Sequence, residues 1–509
     1  MFVNRKKEFH MLKTVIDSVE NNENNNIAII GNRRMGKTEL LLEFKRTHDK
    51  KNIVMPYLNV QRVGNLQSFI MSYYRELLFE IGKKRKLVAN KTDFSNWDDI
   101  LILSAKIGID DISEKLKTKN DTQALDFLFE SQETILKKTD YSAVFLLDEF
   151  QYVKNFGNRF TEIMRSIVEK QQRTAYIVTG SSISMMEEIF SKSSEPFFAQ
   201  FRRMYLGFLN KQNSKKLAEL FLNKHNVHID NQPNNEIFRL TNGHPFYIIS
   251  LCRGLIEEFD DSSIDTIKHV FLKETLSPKG DIYLVLDYIF NQSLSRAYKG
   301  KIHRQILLIL AKKQGLTLTE ISKELDKPSG EVSNYMKKLL TTDLIIREEN
   351  NYFFRDPLLA FWIKYTYLGI NDIELEEKKV VDRLIEELTE KYLQASSELG
   401  RTKEYEFKVK LEEKYDIKFS NYVSSDRKRE FDLVSKKHDV YYIAEVKWRN
   451  RKVSIKDILD YSKKIQNSIF SDKKKKILFI SKIGFDKKAI QEAKKEEIHC
   501  LDKNLNKIV

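Results

Sequence analysis

Residues 31–38 read Gly31-Asn32-Arg33-Arg34-Met35-Gly36-Lys37-Thr38, and this stretch decides the fold of the first part of the chain. It matches the pattern G-x-x-x-x-G-K-[ST] in full. A strand-like run, Asn26–Ile30, precedes it, and a helical run, Glu39–Arg46, follows it. Glycines let the backbone wrap around phosphate groups, and the N–H groups at the helix start then face negative charge. The stretch therefore predicts a P-loop that binds the phosphates of ATP.

The residues of this loop have different predicted parts in nucleotide binding. Lys37 should reach the β and γ phosphates, and the Thr38 hydroxyl should ligate Mg²⁺. The other loop residues are predicted to line the cofactor site, mainly through backbone groups: Gly31, Asn32, Arg33, Arg34, Met35 and Gly36. A glycine-rich turn that arises by chance is the alternative, and the strand and helix on either side argue against it.

A second element supports the nucleotide site. Tyr141–Phe150 reads YSAVFLLDEF, an apolar strand that ends in two carboxylates. Asp148 is predicted to hold Mg²⁺ through water, and Glu149 to polarise an attacking water. An acidic strand end is common by itself, but together with the P-loop upstream it favours ATP hydrolysis.

Polar and cationic residues further along complete the predicted site. Ser181 follows the next strand in a Thr-Gly-Ser-Ser run, where a side chain senses the γ-phosphate; an ordinary turn is the alternative. Arg202 and Arg203 are candidates for an arginine finger, in cis or towards a neighbouring subunit, so a homo-oligomer is possible. Each is equally well explained as solvated surface.

The order of these motifs resembles the archaeal ATPase family, a branch of the STAND-type, AAA-related NTPases. The motifs are Phe2-Val3-Asn4-Arg5…Glu8, GNRRMGKT, LLDEFQ, TGSS and Gly243-His244-Pro245. By this resemblance Asn4 and Arg5 lie near the adenine, and Pro245 of a helical lid touches the nucleotide. Asn32 departs from the family, which often has proline there, but the phosphate grip should survive because that position contributes backbone.

Length and composition limit the possible domain number, partners and location of the protein. With 509 residues, several domains are expected. The net charge of +14 makes a polyanion a plausible partner. Cys252 and Cys500 lie far apart without a partner motif, so neither a disulfide framework nor a cysteine-based zinc site is expected. No signal peptide or long apolar run is visible, and a cytoplasmic location is expected.

The expected fold class is α/β, with a parallel P-loop sheet because strands alternate with helices. The predicted domains are a P-loop ATPase core (1–207), an all-α lid (208–295), a winged helix-turn-helix (296–371), a helical connector (372–399) and a C-terminal α/β domain like restriction endonucleases (400–509).

The winged helix-turn-helix is predicted from two short amphipathic runs and a hairpin. The runs are Leu318–Asp326 and Ser329–Leu340, and the hairpin pattern is Leu344–Arg355. If the domain binds DNA, four residues of the second run would face the major groove: Ser333, Asn334, Lys337 and Lys338. The alternative is a packing or coupling module, as in other STAND-type ATPases.

Two carboxylates and a lysine in the last part of the chain suggest a metal site. Asp432 lies in a strand that precedes the strand with Glu445 and Lys447. Because side chains alternate along a strand, Glu445 and Lys447 share a face, and Asp432 can meet them there. Asp432 and Glu445 are predicted to bind Mg²⁺, and Lys447 to position or deprotonate a water.

This arrangement resembles the PD-(D/E)xK nuclease core, which carries a further glutamate on a preceding helix. Glu404 and Glu406 both sit in the predicted helix, Arg401–Lys414, and Glu406 is favoured because Tyr405 precedes it. A strand salt bridge that arises by chance, or a degenerate nuclease fold kept for binding, remain alternatives.

The expected function is an ATP-binding and ATP-hydrolysing protein that switches a Mg²⁺-dependent DNA nuclease, in DNA processing or defence. One alternative is a STAND-type regulatory or signalling ATPase whose last domain binds nucleic acid or protein without cleavage. Another is a DNA-binding regulator that works through the winged helix alone. The preferred DNA, the oligomeric state and the pathway stay open.

Overall fold

The structure is a computed structural model in which the chain forms two compact units, Met1–Arg383 and Leu384–Val509. It describes residues 3, 5–90, 96–191, 197, 200–257, 263–296, 300–368, 377–394, 407, 411–412, 414–415, 417, 419–423, 430–447, 452–481, 483–502 and 505–508. None of the helices in these ranges is both long and apolar enough to cross a membrane.

A parallel β-sheet forms the centre of the first unit. Its strands are β1 (Asn26–Ile30), β2 (Ile53–Val54), β3 (Tyr57–Asn59), β4 (Ser142–Asp148), β5 (Thr174–Gly180) and β6 (Phe201–Tyr205). The strand order is β2-β4-β5-β1-β6, and β3 also pairs with β4. The expected α/β class with a parallel sheet is thereby confirmed.

Helices cover both faces of this sheet. They are α1 (Lys6–Glu20), α2 (Lys37–Thr47), α3 (Leu66–Lys84), α4 (Trp97–Ile107), α5 (Asp110–Thr118), α6 (Asp121–Thr139), α7 (Asn158–Val168) and α8 (Ile183–Ser191), with 3-10 turns at Val60–Arg62 and Phe150–Phe156. Ile27 and Ile29 of β1 pack against α1 and α2, whereas Ala28 and Ile30 face the opposite core. Burial on both faces explains why β1 is apolar at consecutive positions.

One strand of the predicted sheet differs from expectation. The largely apolar run Ile53–Val60 predicts one strand from its sequence, but the structure has β2, then Met55 and Pro56, then β3. Val60 already belongs to a 3-10 turn. Proline has no backbone N–H to donate to a neighbouring strand, so it interrupts the ladder and the prediction of a continuous strand is wrong.

Helices and a small hairpin make up the rest of the first unit. The lid contains α9 (Lys211–Asn223), α10 (Asn231–Thr241), α11 (Pro245–Glu257), α12 (Ile264–Leu276) and α13 (Asp281–Arg296). The winged helix follows with α14 (Lys301–Lys312), β7 (Leu316–Thr317), α15 (Leu318–Leu325), α16 (Ser329–Leu340), β8 (Ile345–Glu348), β9 (Asn351–Phe354) and α17 (Pro357–Leu368). Its sheet order is β7-β9-β8, which confirms the predicted wing. Helix α18 (Lys378–Gln394) comes next.

The second unit is built around a mixed sheet. Its elements are β10 (Ser420–Val423), β11 (Glu430–Lys437), β12 (Val440–Lys447), α19 (Ile455–Gln466), β13 (Lys475–Ser481), α20 (Lys487–Lys495) and β14 (Ile498–Leu501). The sheet order is β10-β11-β12-β13-β14, antiparallel up to β12 and parallel beyond it. Strands β11 and β12 agree with the two strands predicted to carry Asp432 and the pair Glu445 and Lys447. The assignment to the restriction-endonuclease-like class stays a prediction, as do the individual domain boundaries.

Candidate functional site

The P-loop lies between β1 and α2, at the carboxyl edge of the parallel sheet. Gly36 has φ of +83°, a left-handed conformation that suits glycine, and α2 begins directly after it. A Cβ at Gly31 would lie 2.7 Å from the Leu206 carbonyl oxygen, so that position also requires glycine. Met35 is buried in the core beside α2 and anchors the loop. The backbone of the loop is thereby shaped by packing as well as by sequence.

Lys37 is the first residue of α2, and its side chain points back to the beginning of the P-loop. Its side chain is buried, and its Nζ donates to the carbonyl oxygens of Gly31 at 2.8 Å and Asn32 at 2.6 Å. Burial lowers the pKa of Lys37 to about 8, although the carboxylates of Glu149 and Asp148 act in the opposite direction. A buried ammonium with few compensating charges is suited to receive an anionic ligand.

The Asp148 carboxylate accepts hydrogen bonds from the P-loop and from neighbouring strands. Thr38 Oγ1 donates to Asp148 Oδ2 at 2.7 Å, which brings the two predicted Mg²⁺ ligands together. Tyr57 Oη and Asn59 Nδ2 donate to the same oxygen at 3.0 and 3.3 Å, and Thr179 Oγ1 donates to Oδ1. Sequence reasoning missed Tyr57, Asn59 and Thr179 as partners of this carboxylate. Asn59 and Thr179 lie at the carboxyl ends of the strands next to β4, and Tyr57 begins the three-residue strand β3.

Glu149 is held by two side chains from neighbouring elements. Ser181 Oγ donates to Glu149 Oε2 at 2.6 Å, and Gln151 Nε2 donates to the same oxygen at 2.5 Å. Gln151 is buried and also donates to Ser181 Oγ at 3.3 Å. The predicted water-polarising group and the predicted sensor are therefore in direct contact.

The P-loop arginines reach the helical lid. Arg34 lies over the Phe246 ring at 4.2 Å, and Arg33 lies over the Tyr288 ring at 5.8 Å. Pro245 begins α11, and the preceding His244 stacks on Tyr247 at 3.9 Å. Burial lowers the pKa of His244 to about 3, and the nearby Arg34 and Lys37 act in the same direction. Contacts of this kind place the lid beside the phosphate loop.

A cavity of about 70 Å³ opens where these elements meet. It is lined by the P-loop, the end of β5, the lid and the winged helix, and its lining includes Asn32, Arg33, Ser181, Ser182, His244 and Asp343. The predicted nucleotide-contacting segments therefore share one cavity with residues of the winged helix.

The remaining predicted residues of the ATP site lie further from the loop. Arg5 donates to the Gly207 carbonyl at 3.0 Å and pairs with Glu8 at 3.2 Å, while Asn4 lies outside the described residues. Arg202 and Arg203 are exposed on β6 and pair in register with the interior of β1, below the edge that carries the P-loop. The structure does not bring these two arginines to the phosphate loop, so an arginine finger supplied in cis has no support from this geometry.

The exposed face of α16 carries the residues predicted to meet DNA. Val332, Met336 and Leu339 are buried on one side of the helix. Of the four predicted contacts, Asn334, Lys337 and Lys338 are exposed and Ser333 is half-buried. Two lysines on the outer face of α16, the second helix of the helix-turn-helix, can bind the phosphate backbone of a DNA duplex.

Comparison with protein families decides the class of the first unit. Residues 2–251 match the model of an ATPase domain found predominantly in Archaea. The chain carries an archaeal-type ATPase domain. Residues 300–346 match a winged helix-turn-helix family described as DNA-binding, so the ATPase domain is followed by a winged helix-turn-helix. Both matched ranges lie within the first unit.

Two solved structures align with most of this chain. A Walker-type ATPase of Pyrococcus abyssi is 14% identical with a TM-score of 0.51, and the alignment covers 72% of this chain and 96% of that one. The ORC2 protein of Aeropyrum pernix, solved in ADPNP–ADP complexes, is 12% identical with a TM-score of 0.44, over 75% of this chain and 94% of that one. At 14% identity, the likeness to the Pyrococcus abyssi ATPase shows the fold alone. Among curated proteins, none matches this chain.

The second unit brings the other predicted carboxylates together. The antiparallel register pairs Leu433 with Ala444, so Asp432 and Glu445 follow opposite each other across β11 and β12. Lys447 Nζ donates to Glu445 Oε1 at 2.5 Å, which confirms that the two side chains share a face. Asp432 Oδ2 accepts from the Val446 N–H at 2.8 Å.

A second lysine, which sequence reasoning missed, completes this cluster. Lys464 of α19 lies 2.7 Å from Glu445 Oε2, so the largely buried Glu445 carboxylate meets one ammonium at each oxygen. Burial raises the pKa of the neighbouring Tyr461 hydroxyl well above its ordinary value, and the charges of Glu445 and Asp432 add to this effect. No sequence pattern relates Lys464 to the strand motif, because the contact depends on how α19 packs on the sheet.

Among the described residues of the second unit, few side chains are placed together to bind a metal ion. In the part of the chain that the structure describes, no three carboxylate, histidine or cysteine side chains gather into a metal-binding group. Asp432 and Glu445 offer two carboxylates, which are hard oxygen ligands of the type that Mg²⁺ prefers. The third candidates, Glu404 and Glu406, lie outside the described residues.

Proposed function

We propose that this chain hydrolyses ATP at the P-loop, with Lys37 on the β and γ phosphates and Glu149 polarising the attacking water. The observation that carries the proposal is the 2.7 Å contact of Thr38 Oγ1 with Asp148 Oδ2 beside the buried ammonium of Lys37. A hydroxyl and a carboxylate at this place suit Mg²⁺, which when bound neutralises charge on the phosphates.

The side chains already present explain how the site would work. The Lys37 ammonium exchanges two carbonyl acceptors for phosphate oxygens, which carry more charge. Glu149 must exchange its contacts with Ser181 and Gln151, at least in part, for the attacking water. Nucleotide binding therefore has a direct route to the lid, because the adjacent Arg34 contacts Phe246 there.

Glu149→Gln tests the hydrolytic part of the proposal. The variant keeps the shape of the site but loses the carboxylate, so kcat should fall by about a hundredfold or more while ATP still binds. Turnover by phosphate release and affinity by nucleotide titration are the two measurements. A variant that hydrolyses ATP at the wild-type rate would show that Glu149 has another role.

We further propose that the winged helix binds duplex DNA through α16. The exposed Lys337 and Lys338 support this, and their contacts would be mainly to phosphates. Lys337→Glu with Lys338→Glu should weaken binding about equally for unrelated duplexes and reduce its salt dependence. Unchanged affinity would leave the domain as a packing module.

We also propose that the second unit is a Mg²⁺-dependent DNA nuclease that acts in DNA processing or defence. The convergence of Asp432, Glu445 and Lys447 supports it: two carboxylates hold a divalent ion, which when bound activates water, and Lys447 orients that water. Mg²⁺-dependent cleavage of linear, nicked or branched DNA should be lost in Asp432→Asn. If the wild type cuts none of them, the favoured alternative is a STAND-type regulatory ATPase whose last domain only binds.

An arginine finger in trans is a separate part of the proposal. Arg202 and Arg203 are both exposed, so either is accessible to the nucleotide of a neighbouring copy in a homo-oligomer. Turnover per chain should then rise with protein concentration in the wild type and stay low in the variant that lacks the active arginine. A rate per chain that is independent of concentration would exclude the in-trans arrangement.

A further inference from the structure

Two adjacent serines that follow β5 donate hydrogen bonds to different parts of the molecule. Ser181 Oγ donates to Glu149 Oε2 at 2.6 Å, within the ATP site. Ser182 Oγ donates to Asp343 Oδ2 at 2.8 Å, and Asp343 belongs to the winged helix. Both serines are buried. A single peptide unit therefore separates a contact with the predicted water-polarising group from a contact with the winged helix.

Asp343 also satisfies the beginning of α8. The N–H of Ser184, the second residue of that helix, donates to Asp343 Oδ1 at 2.9 Å, and Ser184 Oγ donates to the Thr341 carbonyl at 3.1 Å. A carboxylate at a helix N-terminus satisfies an N–H group that has no partner within the helix and interacts favourably with the dipole. Here that carboxylate comes from another domain instead of from the preceding residue.

The end of β5, which precedes the two serines, is closely packed. A Cβ at Gly180 would lie 2.3 Å from Met186 Sδ and 2.7 Å from Gln151 Oε1, so α8 and the Gln151 side chain pack directly on the strand end. Gln151 is the second donor to Glu149. A displacement of α8 therefore disturbs both groups that hold the Glu149 carboxylate.

We infer that Asp343 of the winged helix is a positioning residue of the ATP site, which acts on Glu149 through Ser182 and Ser181. The inference rests on the proposed role of Glu149. With Asp343 in place, Glu149 Oε2 accepts two hydrogen bonds and is less available to a water. Loss of the Asp343 contacts loosens Ser181 and releases Glu149, so the docked winged helix slows hydrolysis.

This assignment also connects ATP hydrolysis with the proposed DNA site. Asp343 lies in the turn between α16 and β8, and α16 carries the exposed lysines proposed to contact DNA. Asp343 has φ of +64° and is held in that conformation while it bonds Ser182. DNA that moves α16 would move the Asp343 carboxylate, and turnover would rise on DNA binding.

The substitution Asp343→Gly tests the inference with little backbone strain, because glycine adopts positive φ readily. Asp326→Gly is the matched control, since Asp326 also has positive φ (51°) in the winged helix but is exposed and caps α15. Removing one hydrogen-bonded carboxylate should raise kcat about fivefold to tenfold in Asp343→Gly, with KM for ATP unchanged. Asp326→Gly should behave as the wild type in both constants.

Two further variants separate positioning from a loss of structure. Ser182→Ala removes the other end of the same hydrogen bond and should raise kcat in the same direction, even if Asp343→Gly fails to fold. In a Ser181→Ala background, Asp343→Gly should raise kcat by less than it does alone, because only the Gln151 contact with Glu149 is left for it to disturb. An unchanged or lower kcat in both Asp343→Gly and Ser182→Ala, or an additive effect in the Ser181→Ala background, overturns the inference.

The same set of proteins distinguishes this inference from the proposed function. If Glu149→Gln retains wild-type turnover, the proposed role of Glu149 fails, and the inference fails with it. If Glu149→Gln abolishes turnover while Asp343→Gly and Ser182→Ala leave kcat unchanged, only the inference fails. ATP affinity measured by titration should be equal in the wild type, Asp343→Gly and Ser182→Ala, which would place their effect in the chemical step.

Discussion

Lys37→Met should stabilise the nucleotide-free protein and at the same time abolish its response to ATP. Lys37 is 4% exposed, and burial lowers its pKa from the ordinary 10.5 to about 8. At about 1.4 kcal/mol for each pKa unit, a shift of this size corresponds to a cost of about 3 kcal/mol for the buried ammonium. The P-loop therefore keeps an unfavourable charge that an anionic ligand would stabilise.

Two hydrogen bonds reduce the expected gain. Nζ donates to Gly31 and Asn32 at 2.8 and 2.6 Å, and each bond contributes about 1 kcal/mol. The net stabilisation expected for Lys37→Met at pH 7 is thus about 1–2 kcal/mol. The folded protein releases this proton near pH 8 and the unfolded chain near pH 10.5, so the wild-type free energy of unfolding rises between these values. The methionine variant should lack that rise.

Denaturant unfolding at pH 7 and pH 9.5, with and without Mg²⁺ and ATP, measures both effects. Lys13→Met is a suitable control, since Lys13 is exposed on α1 and its loss should change neither quantity. A Lys37→Met protein that is less stable than wild type without nucleotide would refute the reasoning about the buried charge. Continued stabilisation by ATP would refute the proposed contact with phosphates.

Three further substitutions test particular contacts. Gly31→Ala should weaken ATP binding at least about tenfold, because its Cβ would lie 2.7 Å from the Leu206 carbonyl; nucleotide titration measures this. Lys464→Met should tighten Mn²⁺ binding about tenfold by removing a cation 2.7 Å from Glu445; calorimetry measures this. Tyr247→Phe should cost about 1 kcal/mol of stability, because its hydroxyl donates to the half-buried Asp356 carboxylate at 2.5 Å; thermal unfolding measures this.

Each of these changes has a matched control in the same region. Gly64→Ala introduces a Cβ into open space and should leave ATP affinity unchanged. Lys463→Met removes an exposed lysine next to Lys464 and should leave Mn²⁺ affinity unchanged. Tyr335→Phe removes a hydroxyl that bonds the partly exposed Glu331, and its cost should be small. Equal effects in a variant and its control would contradict the corresponding contact.

The sequence was sufficient for those features of the ATP site that depend on neighbouring residues. The P-loop and the Asp148-Glu149 pair are local patterns, and the structure brings Thr38 and Asp148 together as expected. The partners Tyr57 and Asn59 were not predictable in the same way. They reach Asp148 because β3 pairs with β4, and the order of strands in a sheet is a property of the whole fold.

Contacts between elements also explain what was missed elsewhere. Lys464 reaches Glu445 from α19, and Asp343 reaches Ser182 from the winged helix, so neither belongs to a pattern of fixed spacing. Strand β6 was not predicted because only Phe201 and Met204 of its residues are buried, with exposed residues between them. At the edge of a sheet, such a pattern carries little signal of a strand.

Above all, we propose that residues 31–38 bind ATP with Mg²⁺ through the buried Lys37. The critical measurement is calorimetric titration of ATP into the full chain, with the wild type compared with Lys37→Ala. We expect a saturable Mg²⁺-dependent binding event in the wild type that is lost in Lys37→Ala. Heat of binding that is absent in the wild type, or equal in both proteins, would contradict it.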